Sequence, residues 1–412
     1  MKRLTGVLII LFVSLSFVYS ENFFSERFFE IKLNTQVGVS NSTFGLFDYF
    51  KPEITIDLTK IADEMPEEGF SFIGRGNQSV EIGLNVKPGL KFALSTGFDL
   101  YSDINISKDL FDFLGYGNNL NEELNIDIDG YSDLFLYLQT DIGWNTNKFT
   151  FIVSPSIYFT LMHASIDNSN IKLINTPDGV FAYSLTGNLS ICTDLPLTSI
   201  INDYNYIFDQ WENLYSNLID NMGVDVEVYC SYDYNKFLTL FGDVKCPVIP
   251  SRLNTKIPMT LSSSFSTSLD DLASNNLSAP DFDYSGDGAV EEEYVINRPM
   301  KITFGANFHP FNDLMEYYGS FGVGIVHPFS EVFSDVDWYI DYDIGIRVGL
   351  LNAFSIYVES ERLDRLFSQK LMLELNLRYV AVKEGVATQS PDFENSFRGA
   401  GIGGFATCSV GF

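Results

Sequence analysis

Histidine and cysteine are both scarce in this chain of 412 residues. With only 3 His and no recognisable pairing of a nucleophile with a base, the sequence does not indicate an enzyme. The 4 Cys match no metal-binding or redox spacing, so we predict no cofactor. We interpret them as small apolar side chains on strands, with two disulfides as the alternative; they are Cys192, Cys230, Cys246 and Cys408.

Positive charge is also scarce, because 25 Lys and Arg stand against 54 Asp and Glu for a net charge of −29. Binding to nucleic acid requires basic side chains that neutralise phosphates, so nucleic acid is excluded as an expected partner. The charge does not indicate disorder either. Hydrophobic residues make up 46% of the chain and aromatic residues 15%, whereas disordered acidic proteins contain few aromatics.

Long apolar runs are absent beyond the first twenty residues. Lys2 and Arg3 precede an apolar run over residues 7–17, and Ser20 ends a segment typical of a signal-peptide cleavage site. No later segment reaches the ~18 consecutive apolar residues of a spanning helix. We therefore predict a signal peptide over residues 1–20 and one exported domain over residues 21–412. That domain is either soluble or crosses a membrane as a β-barrel.

Apolar and polar residues alternate with a period of two over most of the chain. In residues 79–87, Val80, Ile82 and Leu84 alternate with polar residues and glycine, and residues 90–100 and 338–350 repeat this pattern. Such alternation predicts strands with one apolar and one polar face, as in a soluble sandwich or a membrane barrel.

Strand length and number favour the membrane barrel. Many alternating segments reach the ~9–11 residues that span a bilayer, whereas soluble strands are mostly ~5–6 residues long. Connections also differ in length: those near residues 88, 146, 236 and 352 are short, whereas 40–77, 102–130 and 197–222 are long. The last of these falls on the wrong side for strict alternation. We predict an all-β, closed antiparallel transmembrane barrel of about fourteen strands, with sixteen as the alternative, and a few short helices.

The polar faces of these strands carry charged residues that would line the interior of a barrel. The functional interpretation is a lining that tunes selectivity, with the acidic excess favouring cations; the alternative is that these groups pair with one another or are solvated. The candidates are Lys91, Asp99, Asp141, Asp225, Glu227, Asp341, Asp343, Arg347, Glu374 and Arg378.

Helical periodicity is clearest over residues 199–221. Tyr204, Phe208, Trp211 and Tyr215 fall on one face of the predicted helix. The segment is interpreted as a plug inside the barrel or as a helix on its rim. Residues 40–77 are a second segment that would fold inward.

One acidic segment has the spacing of a calcium-binding loop. Asp281, Asp283, Ser285 and Glu292 occupy positions 1, 3, 5 and 12, with Gly286 at position 6. This spacing predicts a calcium site.

The C-terminal residue supplies a further signal, because Phe412 shares one face of the last predicted strand with Val410 and Cys408. A terminal aromatic of this kind looks like the signal recognised by outer-membrane barrel assembly machinery. The chain also has the predicted signal peptide, aromatic-rich strands and segments such as residues 341–345. In these features together it resembles the outer-membrane barrels of spirochaetes. The chain also distantly resembles the long-chain fatty-acid transporter family, although that family's Asn-Pro-Ala hatch motif is absent.

The resemblance implies a fourteen-strand barrel in the outer membrane of a diderm bacterium, in contact with outer-membrane lipid and with the assembly machinery. The expected function is a channel or transporter for small solutes, including hydrophobic ligands such as fatty acids. The alternative is a structural or adhesive surface barrel whose long loops bind partners.

Overall fold

The computed structural model describes residues 27–45, 57–87, 89–177, 179–195, 216, 219–268, 281–286, 288–311, 314–326, 328, 336–351, 353–377 and 379–412. The predicted signal peptide and the four aromatic residues of the predicted plug helix lie outside these ranges. The strands are β1 Phe29–Asn41, β2 Phe70–Lys87, β3 Leu90–Ile106, β4 Glu123–Asn145, β5 Phe149–Asn175, β6 Val180–Cys192, β7 Gly223–Asn235, β8 Leu238–Ile249, β9 Ser251–Ser268, β10 Asp281–Gly286, β11 Val290–Ile296, β12 Met300–Phe308, β13 Met315–Val326, β14 Asp337–Leu351, β15 Phe354–Leu363, β16 Leu366–Asn376, β17 Val380–Ser390 and β18 Gly401–Gly411. The helices are α1 Leu58–Glu64, α2 Asp109–Tyr116 and α3 Phe393–Phe397.

Fourteen of the strands among the described residues close into one antiparallel barrel, as predicted. The order around the barrel is β1 to β5, then β7, β8 and β12 to β18. β1 closes the barrel because it pairs with β2 on one side and with β18 on the other. Such closure leaves no exposed edge in the barrel wall.

The predicted alternation places apolar side chains outside and polar side chains inside. On β1, Leu33 is 53% exposed, whereas its neighbour Lys32 is 4% exposed. This difference arises because successive side chains of a strand point to opposite faces of the sheet. The barrel therefore presents an apolar outer surface and a polar inner surface.

The two ends of the barrel differ. The end that holds both Phe29 and Phe412, called the terminal end here, also carries the short turns that join β2 to β3, β4 to β5, β7 to β8, β14 to β15 and β16 to β17. Exposed aromatic side chains surround this end, as in the interfacial girdle of membrane barrels. They are Phe28, Trp144, Phe149, Tyr234, Phe308, Phe311, Tyr379 and Phe412.

β6 and β7 share one position in the wall, which explains the connection that did not fit strict alternation. β5 pairs with β7 over residues 149–158 and with β6 from His163 onward. β6 ends at Cys192 and β7 begins at Gly223, so the intervening chain leaves the wall partway along its height rather than at either end. Because β6 occupies only part of a wall position, the connection that follows it does not obey strict alternation.

One side of the barrel rises far above the other. β4 has 23 residues and β5 has 27, whereas β15 has 10 and β16 has 11. β9 extends the line of β8 and pairs with β6, β10 and β11. We call β3, β4, β5, β6, β9, β10 and β11 the tall wall, and β13 to β18 the short wall. Much of the segment 102–130, which was predicted as a long loop, therefore forms strands.

Glycines on the inner surface make room for aromatic rings on the neighbouring strand. A Cβ added to Gly345 would lie 2.3 Å from the ring of Tyr318, its direct partner across β13 and β14. Glycine permits this close approach because it has no side chain. The same arrangement occurs in the pairs Gly223–Tyr158, Gly305–Phe241, Gly324–Tyr339 and Gly385–Phe405.

The helices of the described residues are short, as expected. α1 packs against α2, and a Cβ added to Gly115 would lie 2.9 Å from that of Ala62. This contact places part of the 40–77 segment beside another loop helix. No helix in the described part of the chain is long and apolar enough to cross a membrane. All four cysteines are free and lie on strands, which confirms the interpretation made from their spacing.

Candidate functional site

The predicted lining residues lie on the inward face of their strands, except Arg378, which is outside the described residues. Lys91, Asp141, Asp225 and Asp341 are buried. The others are half-buried: Asp99, Glu227, Asp343, Arg347 and Glu374. The inner surface is thus a continuous polar lining, and many of its charges contact one another.

In the short wall, the lining is a compact ion-pair network. Lys370 Nζ lies 2.7 Å from Glu359 Oε1 and 2.6 Å from Glu361 Oε2. The hydroxyl of Tyr318 donates to Glu359 Oε2 at 2.7 Å. The lysine and both glutamates are buried, so each charge depends on its partners for the interactions that water would otherwise supply.

A second network lies nearby on the same inner surface. Arg347 is 3.8 Å from Glu316 and 4.0 Å from Glu374, and Tyr357 donates a hydrogen bond to Glu374 at 2.5 Å. These contacts give the predicted residues Arg347 and Glu374 defined partners. Lys370, Glu359 and Glu361 were not predicted as lining residues, although they follow the same alternation along β15 and β16.

The inner surface of the tall wall is aromatic as well as charged. Tyr101, Tyr131, His163 and Tyr294 form a row of contacting rings, with centroid separations of 5.6, 6.3 and 4.3 Å. Asp133 holds one end of the imidazole, 2.7 Å from Nδ1 of His163. Planar rings of this kind offer stacking surfaces to other planar groups.

A break in the wall lies below this row. Residues 159–162 of β5 fall between the last residue paired with β7 and the first paired with β6. Polar contacts bridge the break: Thr160 N–H donates to Ser251 Oγ at 3.2 Å, and Ser251 Oγ donates to the Asn221 carbonyl at 2.9 Å. Asn221 also donates to Asp194 at 2.6 Å, which joins the two ends of the chain that leaves the wall.

Arg298 lies beside this break, in the segment between β11 and β12. It contacts four side chains, each from a different strand. Its guanidinium lies over the rings of Phe135 and Tyr158, at 4.7 and 4.4 Å from their centroids. It is also 3.3 Å from Asp99 Oδ2 and 3.4 Å from Asp225 Oδ2. We call these four side chains the Arg298 cradle. Asp99 and Asp225 were predicted as lining residues, but no pattern near Arg298 indicated its role.

The predicted calcium loop has a different structure. Asp281, Asp283 and Ser285 lie on β10, an exposed strand paired with β9, and Glu292 lies 2.9 Å from Lys256 Nζ. Extended backbone separates alternate side chains by about 7 Å, so these residues do not form the tight loop that calcium requires. Among the described residues, no group of three or more His, Cys, Asp or Glu is placed to hold a metal ion.

Phe412 lies at the seam that closes the barrel. Its backbone exchanges two hydrogen bonds with Phe29, at 3.0 and 3.1 Å, and its exposed ring contacts Phe28 and Phe29. Cys408 and Val410 share its outward face, as predicted.

No protein-family model and no curated protein matches the sequence. The chain is similar in fold to several solved structures, among them a transporter and a channel. A crystal structure of the Pseudomonas putida toluene transporter TodX is 8% identical, with a TM-score of 0.49, over 97% of this chain and 95% of that one. A Pseudomonas aeruginosa FadL homologue is 8% identical, with a TM-score of 0.45, over 94% of this chain and 91% of that one. The monoaromatic hydrocarbon channel CymD is 7% identical, with a TM-score of 0.46, over 94% and 89%.

Proposed function

We propose that the chain is an outer-membrane channel or transporter for small solutes. The observation that carries this proposal is the closed fourteen-strand barrel with an apolar outer surface and a polar, charged inner surface. About eight strands already enclose enough space for inward side chains to fill, so fourteen enclose a wider interior. The aromatic girdle at the terminal end supports insertion in a membrane with that end at one interface.

The proposed location is the outer membrane of a diderm bacterium, which the chain would reach by a cleaved signal peptide and the barrel assembly machinery. Closed barrels are the form in which strands cross a bilayer, because every backbone group in the wall is paired. The proposed role is transport rather than catalysis.

The inner surface supports two solute classes. The row of rings from Tyr101 to Tyr294 favours hydrophobic or aromatic solutes, such as monoaromatic hydrocarbons and fatty acids. Half-buried carboxylates such as Asp99, whose side chain is 35% exposed, favour cations over anions among polar solutes.

The test is flux through the purified barrel. The protein is reconstituted in planar bilayers and in liposomes, and conductance and uptake of toluene, oleate and small cations are measured against empty vesicles. Conductance or uptake above the empty-vesicle rate is expected. The absence of both from correctly folded, heat-modifiable barrels contradicts the proposed function.

A structural or adhesive role is the second candidate, and the height of the tall wall favours it. β10 and β11 stand beyond the barrel with exposed aromatic side chains, including Phe282 at 70% and Tyr284 at 65%. Such side chains above a membrane suit contact with a partner. A barrel with no flux that still binds a partner, and that loses binding when residues 281–286 are replaced by Gly and Ser, supports this alternative.

A further inference from the structure

The Arg298 cradle has the composition of a site for organic cations. Two aromatic rings, Phe135 and Tyr158, face the guanidinium, and two carboxylates, Asp99 and Asp225, lie on its edges. Aromatic faces attract cations through their quadrupole, and carboxylates accept hydrogen bonds from guanidinium and ammonium groups. In this structure the occupant is the chain's own Arg298.

The fit between Arg298 and its cradle leaves acceptor capacity unused. The two ion-pair distances, 3.3 and 3.4 Å, are longer than the ~2.7–2.9 Å of a strong charge-assisted hydrogen bond. Asp225 is 1% exposed, and its Oδ1 has no hydrogen-bond partner among the described residues. A buried carboxylate oxygen without a donor is costly, so a better placed donor would bind there favourably.

The cradle and its occupant come from different parts of the barrel. The four cradle residues lie on β3, β4, β5 and β7, which are consecutive in the wall, whereas Arg298 belongs to the segment that joins β11 to β12. Arg298 therefore reaches the cradle from a segment outside the strands that form it. The side chain of Asp99 is 35% exposed, so the cradle opens toward the interior.

We propose that the Arg298 cradle is a binding site for small solutes that carry a guanidinium or ammonium group, with Arg298 as an internal competitor. A cationic solute displaces the arginine and takes over its two rings and two carboxylates. Displacement also removes the contacts that Arg298 makes with β3, β4, β5 and β7. The binding site stands without any transport, whereas its consequence for permeation rests on the proposed channel function.

Binding is tested with guanidinium chloride at millimolar concentration, against sodium chloride of equal ionic strength, by titration calorimetry on the folded barrel in detergent. The Arg298→Ala variant is expected to bind guanidinium saturably and about tenfold more tightly than the wild type, since the competitor is gone. Adding Asp225→Asn should abolish that binding. The matched control is Arg252→Ala. This substitution removes an exposed arginine of β9 that is paired with Glu293 of β11.

If Arg298→Ala does not give a heat-modifiable folded band, Arg298→Gln replaces it, with the same expectation because Gln carries no charge. Saturable binding that requires Asp225 supports the proposal. A folded Arg298 variant that binds guanidinium no better than the wild type or the Arg252→Ala control overturns it.

Conductance separates this proposal from the proposed function. The Arg298→Ala barrel is expected to conduct sodium better than the wild type, and guanidinium is expected to reduce that current. Saturable binding without conductance in any variant contradicts the channel function and leaves the cation site intact. Conductance without Asp225-dependent binding contradicts the cation site alone.

Discussion

The short and tall walls of the barrel differ in strand length, in the pairing of their inward charges and in their continuity. Strands of the short wall, such as β15 with 10 residues and β16 with 11, match the ~9–11 residues that cross a bilayer. Their inward charges are tightly paired around Lys370. The tall wall contains strands of 23 and 27 residues, a break over residues 159–162, and the row of rings.

We infer that the short wall holds the barrel closed, whereas the tall wall carries the irregular features, namely the longest strands, the break and the row of rings. A closed ion-pair network on regular strands allows little rearrangement, because each buried charge requires its partner. A wall whose break is bridged by single hydrogen bonds opens locally at lower cost.

The largest effect is expected at the seam between the short wall and β1. Deletion of Phe412 removes two backbone hydrogen bonds to Phe29 and the ring contacts with Phe28. We expect a loss of membrane insertion in cells, measured as the heat-modifiable fraction in the outer-membrane pellet. Phe397→Ala removes an exposed aromatic near the other end of the short wall and is the control. Undiminished insertion of the deletion variant would show that the terminal residue is not an assembly signal.

Within the short wall, Lys370→Met should be strongly destabilising. The substitution leaves Glu359 and Glu361 buried without their cation, which typically costs about 3–5 kcal/mol. The measurement is the free energy of unfolding in urea from lipid vesicles, followed by tryptophan fluorescence. A loss below about 1 kcal/mol, the size typical of an exposed pair, would mean that the network does not hold the short wall together.

A smaller effect is expected from filling the space below an aromatic ring. In Gly345→Ala the new methyl would lie 2.3 Å from the ring of Tyr318, and such overpacking typically costs about 1–3 kcal/mol. Gly319→Ala is the matched control, because its nearest neighbour would be 3.6 Å away. Equal unfolding free energies for the two variants would contradict the packing of rings over glycines.

The smallest effect is expected at the upper part of the tall wall. Lys172 and Glu123 form an ion pair of 2.9 Å, but their side chains are 46% and 49% exposed. Lys172→Met should therefore change the unfolding free energy by about 0–1 kcal/mol in the same assay. A loss as large as that of Lys370→Met would remove the distinction between the two walls.

Alternation made most of the barrel predictable. Each strand has one apolar and one polar face, as residues 79–87 and 338–350 show, and the strand count follows from their number. The tall wall was the exception, because β6 has the same pattern as a barrel strand although it occupies only part of one position. Hydrogen-bond register decides how much of a wall position β6 occupies. No local pattern encodes the register between strands that are far apart in sequence.

The site was predictable only in part, for a similar reason. Asp99 and Asp225 belong to regular polar faces, so their inward direction follows from the period of two. Arg298 lies outside any strand, and its partners are 199 and 73 residues away. The predicted calcium loop had suitable residue spacing, but pairing of β10 with β9 extends the backbone.

By itself, the sequence determined which side chains face outward and which face the interior, because that depends only on alternation along each strand. It also indicated the size of the barrel. Tertiary structure decided how β6 and β7 share one position, which charges form the network around Lys370, and where Arg298 lies. These features depend on closure of the barrel, which brings together strands that are distant in the chain and sets their register.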